Sequence, residues 1–245
     1  MDDITAAKLA IRLLDLTSLN KDDNEARIEA LCKRATTPYG NVAAVCVYPR
    51  FIPFAIEYLK GTNIKTATVV NFPEGNSSLE EVQKEIKKAI NFGADEIDAV
   101  FPYQKFMAGD ISFCQDFLKM ITEECGKKHT SKIILETGEL KKNSLITSAC
   151  KMCIDAGVSF IKTSTGKTEV SATPEVANLI LETILSGKKP VGFKASGGIK
   201  TAYDAKKYLI LANSIMGTRW ISPKNLRLGA SSVLDDLIKT IETGV

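Results

Sequence analysis

The sequence predicts a (β/α)8 TIM barrel, and three observations lead to this fold class. Short apolar runs alternate with amphipathic segments along the chain, a pattern typical of a parallel sheet with helices outside it. Eight apolar runs fit within about 230 residues, as the strands of such a barrel would. No linker or change in composition divides the chain, so we expect a single domain over residues 1–245. A doubly wound open sheet gives the same local pattern and is the alternative.

The predicted strands are the apolar runs themselves. In chain order they cover residues 12–17, 42–48, 65–72, 96–101, 132–137, 159–164, 191–196 and 226–231. The last run, LRLGAS, has the weakest apolar pattern.

Amphipathic segments between these runs predict the helices. In residues 78–91 the apolar side chains recur at helical spacing, and charged side chains cover the remaining surface. Thr173 precedes Pro174, as an N-cap precedes a proline at the first helical position. Thr201 and Asp204 have the spacing of a capping box, with aspartate in place of the usual glutamate. These signals place helices after the third, sixth and seventh predicted strands.

Composition and charge exclude several classes of function. The net charge of +3 is too balanced to indicate a nucleic-acid-binding protein or one that binds acidic membranes. No run approaches the ~18 apolar residues of a membrane span, and the N-terminus has no apolar signal core. The six cysteines lack the spacing of a disulfide framework, which predicts a reducing, cytoplasmic environment.

Polar residues stand at the carboxyl ends of the predicted strands, where barrel enzymes carry their catalytic groups. They are Asp15, Asn71, Asp98, Glu136, Lys162 and Lys194. A single lysine in such a place is more often a structural cation, here paired with Asp98 or Glu136. Lys162 and Lys194, however, end neighbouring predicted strands and would repel each other. Structure alone gains little from the second lysine, so the pair favours a chemical role.

A lysine nucleophile needs a neutral amine. With an ordinary pKa of ~10.4, only about one lysine in 2,500 is neutral at pH 7. A second ammonium nearby and partial burial both lower the pKa of a lysine. A lysine activated in this way attacks a carbonyl group and forms a Schiff base, and the protonated imine is the electron sink that aldol chemistry requires.

Glycine-rich stretches follow the last three predicted strands. They are STGK (164–167), SGGIK (196–200) and LGASS (228–232). Clustered backbone N–H groups beside a helix N-terminus bind anions, and barrels often bind phosphate after strands 7 and 8. Together the three stretches predict a phosphate site.

At these residues the chain resembles the deoxyribose-phosphate aldolase family of class I aldolases. The matching stretches span nearly the whole chain and occur in family order. They are LLDLTSLN (13–20), VCVYPRF (45–51), NFPEG (71–75), ADEIDAVFPY (94–103), ILETGEL (134–140), FIKTSTGK (160–167), VGFKASGGIK (191–200) and RLGASS (227–232).

The resemblance implies a (β/α)8 barrel that reversibly cleaves 2-deoxy-D-ribose 5-phosphate to acetaldehyde and D-glyceraldehyde 3-phosphate, with no metal or organic cofactor. It implies that Lys162 forms the Schiff base, Asp98 transfers protons, and Lys194 tunes Lys162 and helps to relay the proton. It also implies a set of substrate-binding residues, most of them for the phosphate. They are Thr17, Cys46, Gly166, Lys167, Gly197, Gly198, Gly229, Ser231 and Ser232.

One departure from the family pattern concerns Lys200, which replaces a common arginine. An ammonium cannot make the bidentate phosphate contact of a guanidinium, so a role for Lys200 in phosphate binding is open.

Other interpretations remain open from the sequence. The chain could be another Schiff-base aldolase acting on a sugar phosphate, a non-catalytic barrel that binds sugar phosphates, or an enzyme that uses pyridoxal phosphate. Cys150 and Cys153 form a CxxC late in a predicted helix, which favours buried helix residues over a zinc or redox site. The expected partner is a small sugar phosphate, and a homodimer is possible.

Overall fold

The structure is a computed structural model that describes residues 1–244. Ten strands are assigned within this range. They are β1 (Leu14–Thr17), β2 (Thr36–Thr37), β3 (Gly40–Asn41), β4 (Ala44–Val47), β5 (Lys65–Val70), β6 (Glu96–Val100), β7 (Thr130–Ile134), β8 (Phe160–Lys162), β9 (Gly192–Ser196) and β10 (Leu226–Ala230).

Eleven α-helices and two short 3-10 helices, Pro49–Phe51 and Thr218–Trp220, connect the strands within residues 1–244. The α-helices are α1 (Asp3–Leu13), α2 (Glu25–Arg34), α3 (Ile52–Leu59), α4 (Leu79–Asn91), α5 (Tyr103–Met107), α6 (Ile111–Cys125), α7 (Thr137–Leu140), α8 (Asn143–Ala156), α9 (Pro174–Leu185), α10 (Ala202–Met216) and α11 (Val233–Thr243). Within residues 1–244, none of the helices combines the length and the apolar composition of a membrane span.

Eight of the strands form a closed parallel barrel. Their order is β1-β10-β9-β8-β7-β6-β5-β4, and β1 pairs with both β10 and β4, which closes the ring. The predicted (β/α)8 barrel is therefore confirmed, and the alternative of an open sheet is wrong. The strands β2 and β3 form a separate small hairpin.

Each of the eight predicted strands overlaps a barrel strand, with boundaries that differ by up to three residues, and the differences at β1 and β7 have local causes. The strand β1 begins at Leu14 because α1 continues through Leu13. The strand β7 lies two residues earlier than predicted and ends at Ile134. It ends there because Glu136 turns the chain with a φ of 53°, in the left-handed region. Lys132, the first residue of the predicted strand, therefore lies in the middle of β7.

The predicted helix signals are also confirmed. Ser78 and Glu81 form a capping box at the start of α4, and Thr201 and Asp204 form one at the start of α10. Thr173 caps α9 with its side chain. Each cap satisfies backbone N–H groups that a helix start leaves without partners, and so it fixes where the helix leaves its loop.

The interior of the barrel differs from the shell around it. The shell is the main apolar core, in which the outer faces of the strands pack against the helices. Inside the ring, Leu19, Ala44, Cys46, Ala67 and Val69 form a small apolar cluster. The rest of the interior carries buried ionisable side chains from β1 and β6–β10. The fold thus places charge inside a closed ring where water has little access.

Candidate active site

Lys162 is the last residue of β8, and 2% of its surface is exposed. Its Nζ donates a hydrogen bond to Oδ2 of Asp98 at 2.8 Å. Asp98 lies in the middle of β6 and is fully buried. The lysine and the carboxylate that the sequence singles out are therefore in direct contact.

Lys194 binds the same oxygen from the neighbouring strand. Its register partner across β8 and β9 is Lys162, and its Nζ donates to Asp98 Oδ2 at 2.8 Å. Because both amines lie 2.8 Å from one oxygen, the two nitrogens are within twice that distance of each other. Lys194 also donates to Asp15 Oδ2. Gly229 gives it room, because a Cβ there would lie 3.0 Å from Lys194 Cε.

The environment lowers the pKa of Lys162. Burial is the largest cause, because it removes water from the ammonium form. The carboxylate of Asp98 opposes this change, and the charge of Lys194 adds to it. Lys194 thus acts in the direction that the sequence argument predicts, but burial outweighs it.

The pKa of Lys194 moves the opposite way. Burial alone would lower it, but the carboxylates of Asp15 and Asp98 outweigh burial and raise it. The two lysines are therefore differentiated by their partners. Lys194 contacts two carboxylates, whereas Lys162 contacts one that it shares. Of the pair, Lys162 is the better candidate for a neutral amine.

The sequence analysis missed a third buried lysine. Lys132 donates to Asp98 Oδ1 at 2.6 Å and lies 2.6 Å from a carboxylate oxygen of Glu96. Arg227 donates to both carboxylate oxygens of Glu96, at 2.8 and 3.1 Å, and contacts Asp15 at 2.6 Å. These residues join the two lysines of the site to a continuous ion-pair network across the barrel.

The two-residue period of a strand could have revealed Glu96 and Arg227. Glu96 is two positions before Asp98, so both side chains lie on the same face of β6. Arg227 separates Leu226 from Leu228, which places it on the face opposite two buried leucines. Lys132 did not give such a signal, because it was the first residue of the predicted strand and no earlier strand residue indicated which face it shares.

A cavity of about 190 Å³ lies at the carboxyl ends of the strands. Lys162, Lys194 and Asp98 do not line it, but Gly229, which lies against Lys194, does. Its lining includes seven of the nine predicted substrate-binding residues. They are Thr17, Gly166, Lys167, Gly197, Gly198, Gly229 and Ser231. The last of these directly precedes Ser232, the N-cap of α11, so the positive end of that helix is close to the cavity. Such a lining suits an anion.

Lys167 is the cation at this cavity. Its Nζ donates to the backbone oxygen of Leu19 at 2.6 Å, across the cavity mouth. Its backbone N–H donates to Oγ1 of Thr165 at 3.0 Å. A backbone carbonyl is a weak partner for an ammonium compared with a dianion, so Lys167 can exchange Leu19 for a bound phosphate.

Comparison with known proteins adds a family to this geometry. The sequence model of the DeoC/LacD family aldolases matches residues 9–233. The chain belongs to this family. It is therefore an aldolase.

Solved structures are similar over nearly the whole chain. A Coccidioides immitis protein named "putative deoxyribose-phosphate aldolase" is 29% identical, covers 96% of this chain and 86% of its own, and has a TM-score of 0.85. The protein "QR15, an Aldolase" is 27% identical, covers 96% of this chain and 98% of its own, and has a TM-score of 0.82. A "putative deoxyribose-phosphate aldolase" of Toxoplasma gondii ME49 is 24% identical, with coverages of 99% and 97% and a TM-score of 0.88, and supports the fold alone.

Glu136 shapes the loop that carries part of the aldolase's cavity. Its carboxylate accepts hydrogen bonds from the backbone N–H and the hydroxyl of Thr165, and from Thr168 Oγ1 at 3.1 Å. Burial raises the pKa of Glu136, although these hydrogen bonds oppose the change. Glu136 therefore contacts the loop around Gly166 and Lys167, and none of its hydrogen bonds is to a lysine or arginine of the network.

The remaining predicted residues do not line the cavity. Cys46 is fully buried on β4, next to Thr17 in register, and it does not line the cavity. Burial raises its pKa to about 11, so its thiol stays protonated at neutral pH. Lys200 and Ser232 are exposed and also lie outside the cavity lining. The residues of the CxxC, Cys150 and Cys153, are buried in α8, as predicted.

Proposed function

We propose that this aldolase reversibly cleaves 2-deoxy-D-ribose 5-phosphate to acetaldehyde and D-glyceraldehyde 3-phosphate through a Schiff base on Lys162. The observation that carries the proposal is the contact of two lysines with one oxygen of Asp98, beside a glycine-lined cavity. The first feature supplies an activated amine, and the second supplies an anion site. The name of the similar Coccidioides immitis protein supports the choice of substrate.

The first step is attack of the neutral Lys162 amine on the aldehyde carbon, C1, of the open-chain sugar. The carbinolamine that forms loses water and becomes a protonated imine. Asp98 takes the proton that leaves the attacking nitrogen and passes it to the former carbonyl oxygen, and a second proton then goes to the departing hydroxyl. Lys194, which contacts Asp98, is the group that can deliver this proton and recover it.

The second step breaks the bond between C2 and C3. A base removes the proton of the C3 hydroxyl, and C3 leaves as the aldehyde carbon of D-glyceraldehyde 3-phosphate. The electron pair of the broken bond passes into the imine and gives an enamine on Lys162. Protonation at C2 and addition of water then release acetaldehyde and restore the amine. We assign Asp98 to the relay of these protons.

The phosphate group is bound at a distance from the reacting carbons. The cavity formed by Gly166, Lys167, Gly197, Gly198 and Gly229 supports this assignment. Binding energy from a remote group can hold the reacting carbon at the amine and so increase the rate of the chemical step. Cleavage should therefore depend strongly on the phosphate.

Turnover with matched sugars tests the proposal. We expect release of D-glyceraldehyde 3-phosphate from 2-deoxy-D-ribose 5-phosphate, far less efficient cleavage of 2-deoxy-D-ribose, and no cleavage of either sugar by Lys162→Met. Equal kcat/KM values for the two sugars would show that the cavity does not bind phosphate. A folded protein that binds the phosphorylated sugar without cleaving it would favour the non-catalytic alternative.

Two alternatives have their own readouts. Another Schiff-base aldolase would cleave a different sugar phosphate and leave 2-deoxy-D-ribose 5-phosphate intact. An enzyme dependent on pyridoxal phosphate would be yellow when purified. The predictions of a cytoplasmic location and a homodimer are separate from the chemistry, and light scattering of the purified protein checks the assembly.

A further inference from the structure

Below Lys162, the barrel contains a layer of charge that the proposed reaction does not use. Glu96, Lys132 and Arg227 are buried to 5% exposure or less. Lys132 lies between the carboxylates of Glu96 and Asp98, at 2.6 Å from each. Burying this many ionised groups is costly unless each is paired, so the arrangement calls for an explanation.

The charges in the network balance only when Lys162 is left out. The cations are Lys132, Lys194 and Arg227, and the carboxylates are Asp15, Glu96 and Asp98, three of each. A protonated Lys162 would be a fourth cation without a carboxylate of its own.

Two other titratable groups face this part of the barrel. Cys46 on β4 is a protonated thiol at neutral pH, since burial raises its pKa to about 11. Glu136, after β7, is hydrogen-bonded to Thr165 and Thr168 at the mouth. The side-chain hydrogen bonds of Glu136 all go to threonines, so Glu136 is not hydrogen-bonded into the network, although the charge of Lys162 acts on its carboxylate.

We propose that Lys132 and Glu96 are positioning residues that set how much of the Lys162 amine is neutral. Lys132 increases the neutral fraction by neutralising Asp98, and Glu96 decreases it by limiting how far Lys132 does so. This inference rests on the proposed function, since it concerns the nucleophile assigned there. Neither residue touches the substrate in this account.

The contacts explain how the effect reaches Lys162. Lys132 binds Oδ1 of Asp98, while Lys162 and Lys194 share Oδ2. With Lys132 and Lys194 in place, Asp98 has little unbalanced charge to hold a proton on Lys162. Glu96 attracts Lys132 away from Asp98 and is itself paired with Arg227.

Two substitutions are therefore expected to have opposite effects on the protonation of Lys162. Lys132→Met removes one cation, so Asp98 then stabilises a protonated Lys162. Glu96→Gln removes one carboxylate, so the excess positive charge favours the neutral amine. The double variant Lys132→Met/Glu96→Gln restores equal numbers of cations and carboxylates. Its Lys162 should behave nearly as in the unmodified protein.

Competitive acetylation with acetic anhydride measures the neutral amine directly. The labelling of Lys162, relative to the exposed Lys200, is followed against pH by peptide mass mapping. At pH 7 we expect labelling to fall by about tenfold or more in Lys132→Met, because a charge a few ångströms away has been removed. We expect the pH profile of Glu96→Gln to shift to lower pH and that of the double variant to return to within about threefold of the unmodified protein.

A purely structural role makes a different prediction. Each substitution would then damage the site, and the double variant would be worse than either single variant. Shifts of both single variants in the same direction, or no shift in folded variants, would overturn the proposal. If Lys132→Met does not fold, the double variant and Glu96→Gln are compared. Acetylation of Lys162 must then rise at higher pH in the double variant than in Glu96→Gln, and the opposite order would refute the inference.

Failure of the proposed function has a separate signature. Acetylation reports the amine whether or not the protein acts on an aldehyde, whereas reductive trapping with acetaldehyde reports Schiff-base formation. If the acetylation profiles of the two single variants shift in opposite directions but no acetaldehyde is trapped, the effect of the network on Lys162 is supported and the proposed function is rejected. Trapping at Lys162 without the shifts would keep the function and reject the role of Lys132 and Glu96.

Discussion

At the scale of single residues, Asp98 is the group on which the site depends. Its two oxygens accept hydrogen bonds from three lysines, all of them buried. The lysines hold the pKa of Asp98 well below its usual range, although burial alone would raise it. A carboxylate that stays ionised next to an attacking amine and an ammonium can take a proton from the nitrogen of the first and pass it on, while the ammonium supplies the next proton.

Substitution of Asp98 should affect both chemistry and stability. Asp98→Asn retains the shape but removes the base, so turnover should fall by roughly 10²–10⁴-fold. It also leaves three buried lysines with one carboxylate fewer, so the free energy of unfolding should fall by about 3–5 kcal/mol. Turnover and urea unfolding measure the two effects. Asp155→Asn, at an exposed position on α8, is the control, and near-normal turnover of a folded Asp98→Asn would contradict the assigned role.

Lys194 and burial both lower the pKa of Lys162, and a substitution can separate the two effects. Lys194→Met removes a cation that lowers the pKa of Lys162, so that pKa should rise and less neutral amine should be present at pH 7. The rate of Schiff-base formation with acetaldehyde at neutral pH should fall by up to about 10²-fold, and its acid limb should move to higher pH. The exposed Lys200→Met provides the matched control. An unchanged pH profile in folded Lys194→Met would leave burial as the sole cause.

At the scale of elements, the contact between α7 and the loop after β8 holds the cavity together. Gly138, in α7, lies directly under the backbone of Val170, and a Cβ there would be 2.2 Å from the Val170 oxygen. The same loop carries Gly166 and Lys167, which line the cavity. The absence of a side chain at Gly138 thus allows the loop to close against the barrel.

Gly138→Ala should separate substrate binding from Schiff-base chemistry. The added methyl group must displace the loop, and an overpacked contact costs about 1–3 kcal/mol. We expect KM for the phosphorylated sugar to rise by roughly tenfold or more, while trapping of acetaldehyde at Lys162 changes little. Gly187→Ala, a tight position beside Ile154 and outside the cavity lining, is the control. An unchanged KM would show that this loop does not contribute to binding.

The strands show which features a sequence can predict. Eight apolar runs and the helices between them follow from periodicity, and Lys162 and Lys194 stand out because lysine is seldom buried within an apolar run. Lys162 ends β8 as predicted, whereas Lys194 lies in the middle of β9. Lys132, Glu96 and Arg227 did not stand out, because a charged residue near a strand start resembles an exposed one. Their pairing joins β6, β7 and β10, and pairing between strands depends on register that only the structure supplies.

At the scale of the whole molecule, the barrel is a ring with a charged interior, and this should make its stability depend on pH. Burial would raise the pKa values of Asp15 and Asp98, but the cations around them outweigh it and lower both. In the unfolded chain an aspartate titrates near ~3.9. Below that pH the unfolded state binds protons that the native state does not, so the native state loses stability as pH falls.

Urea unfolding between pH 3 and pH 7 measures this dependence. Each such carboxylate should contribute about 1.4 kcal/mol per pH unit to the slope below about pH 4. Asp15→Asn should be less stable at pH 7 and should show a shallower slope at low pH, since one proton-linked group is missing. Equal slopes for the two proteins would contradict the assignment of Asp15 as a carboxylate that stays ionised in the native state.

The most direct test of the central claim is reductive trapping of the Schiff base. The protein is treated with acetaldehyde and borohydride, and the modified lysine is located by peptide mass mapping. We predict an ethyl group on Lys162 alone, no label in Lys162→Met, and normal labelling in Lys200→Met. A label mainly on another lysine, or no label in the unmodified protein, would contradict the account.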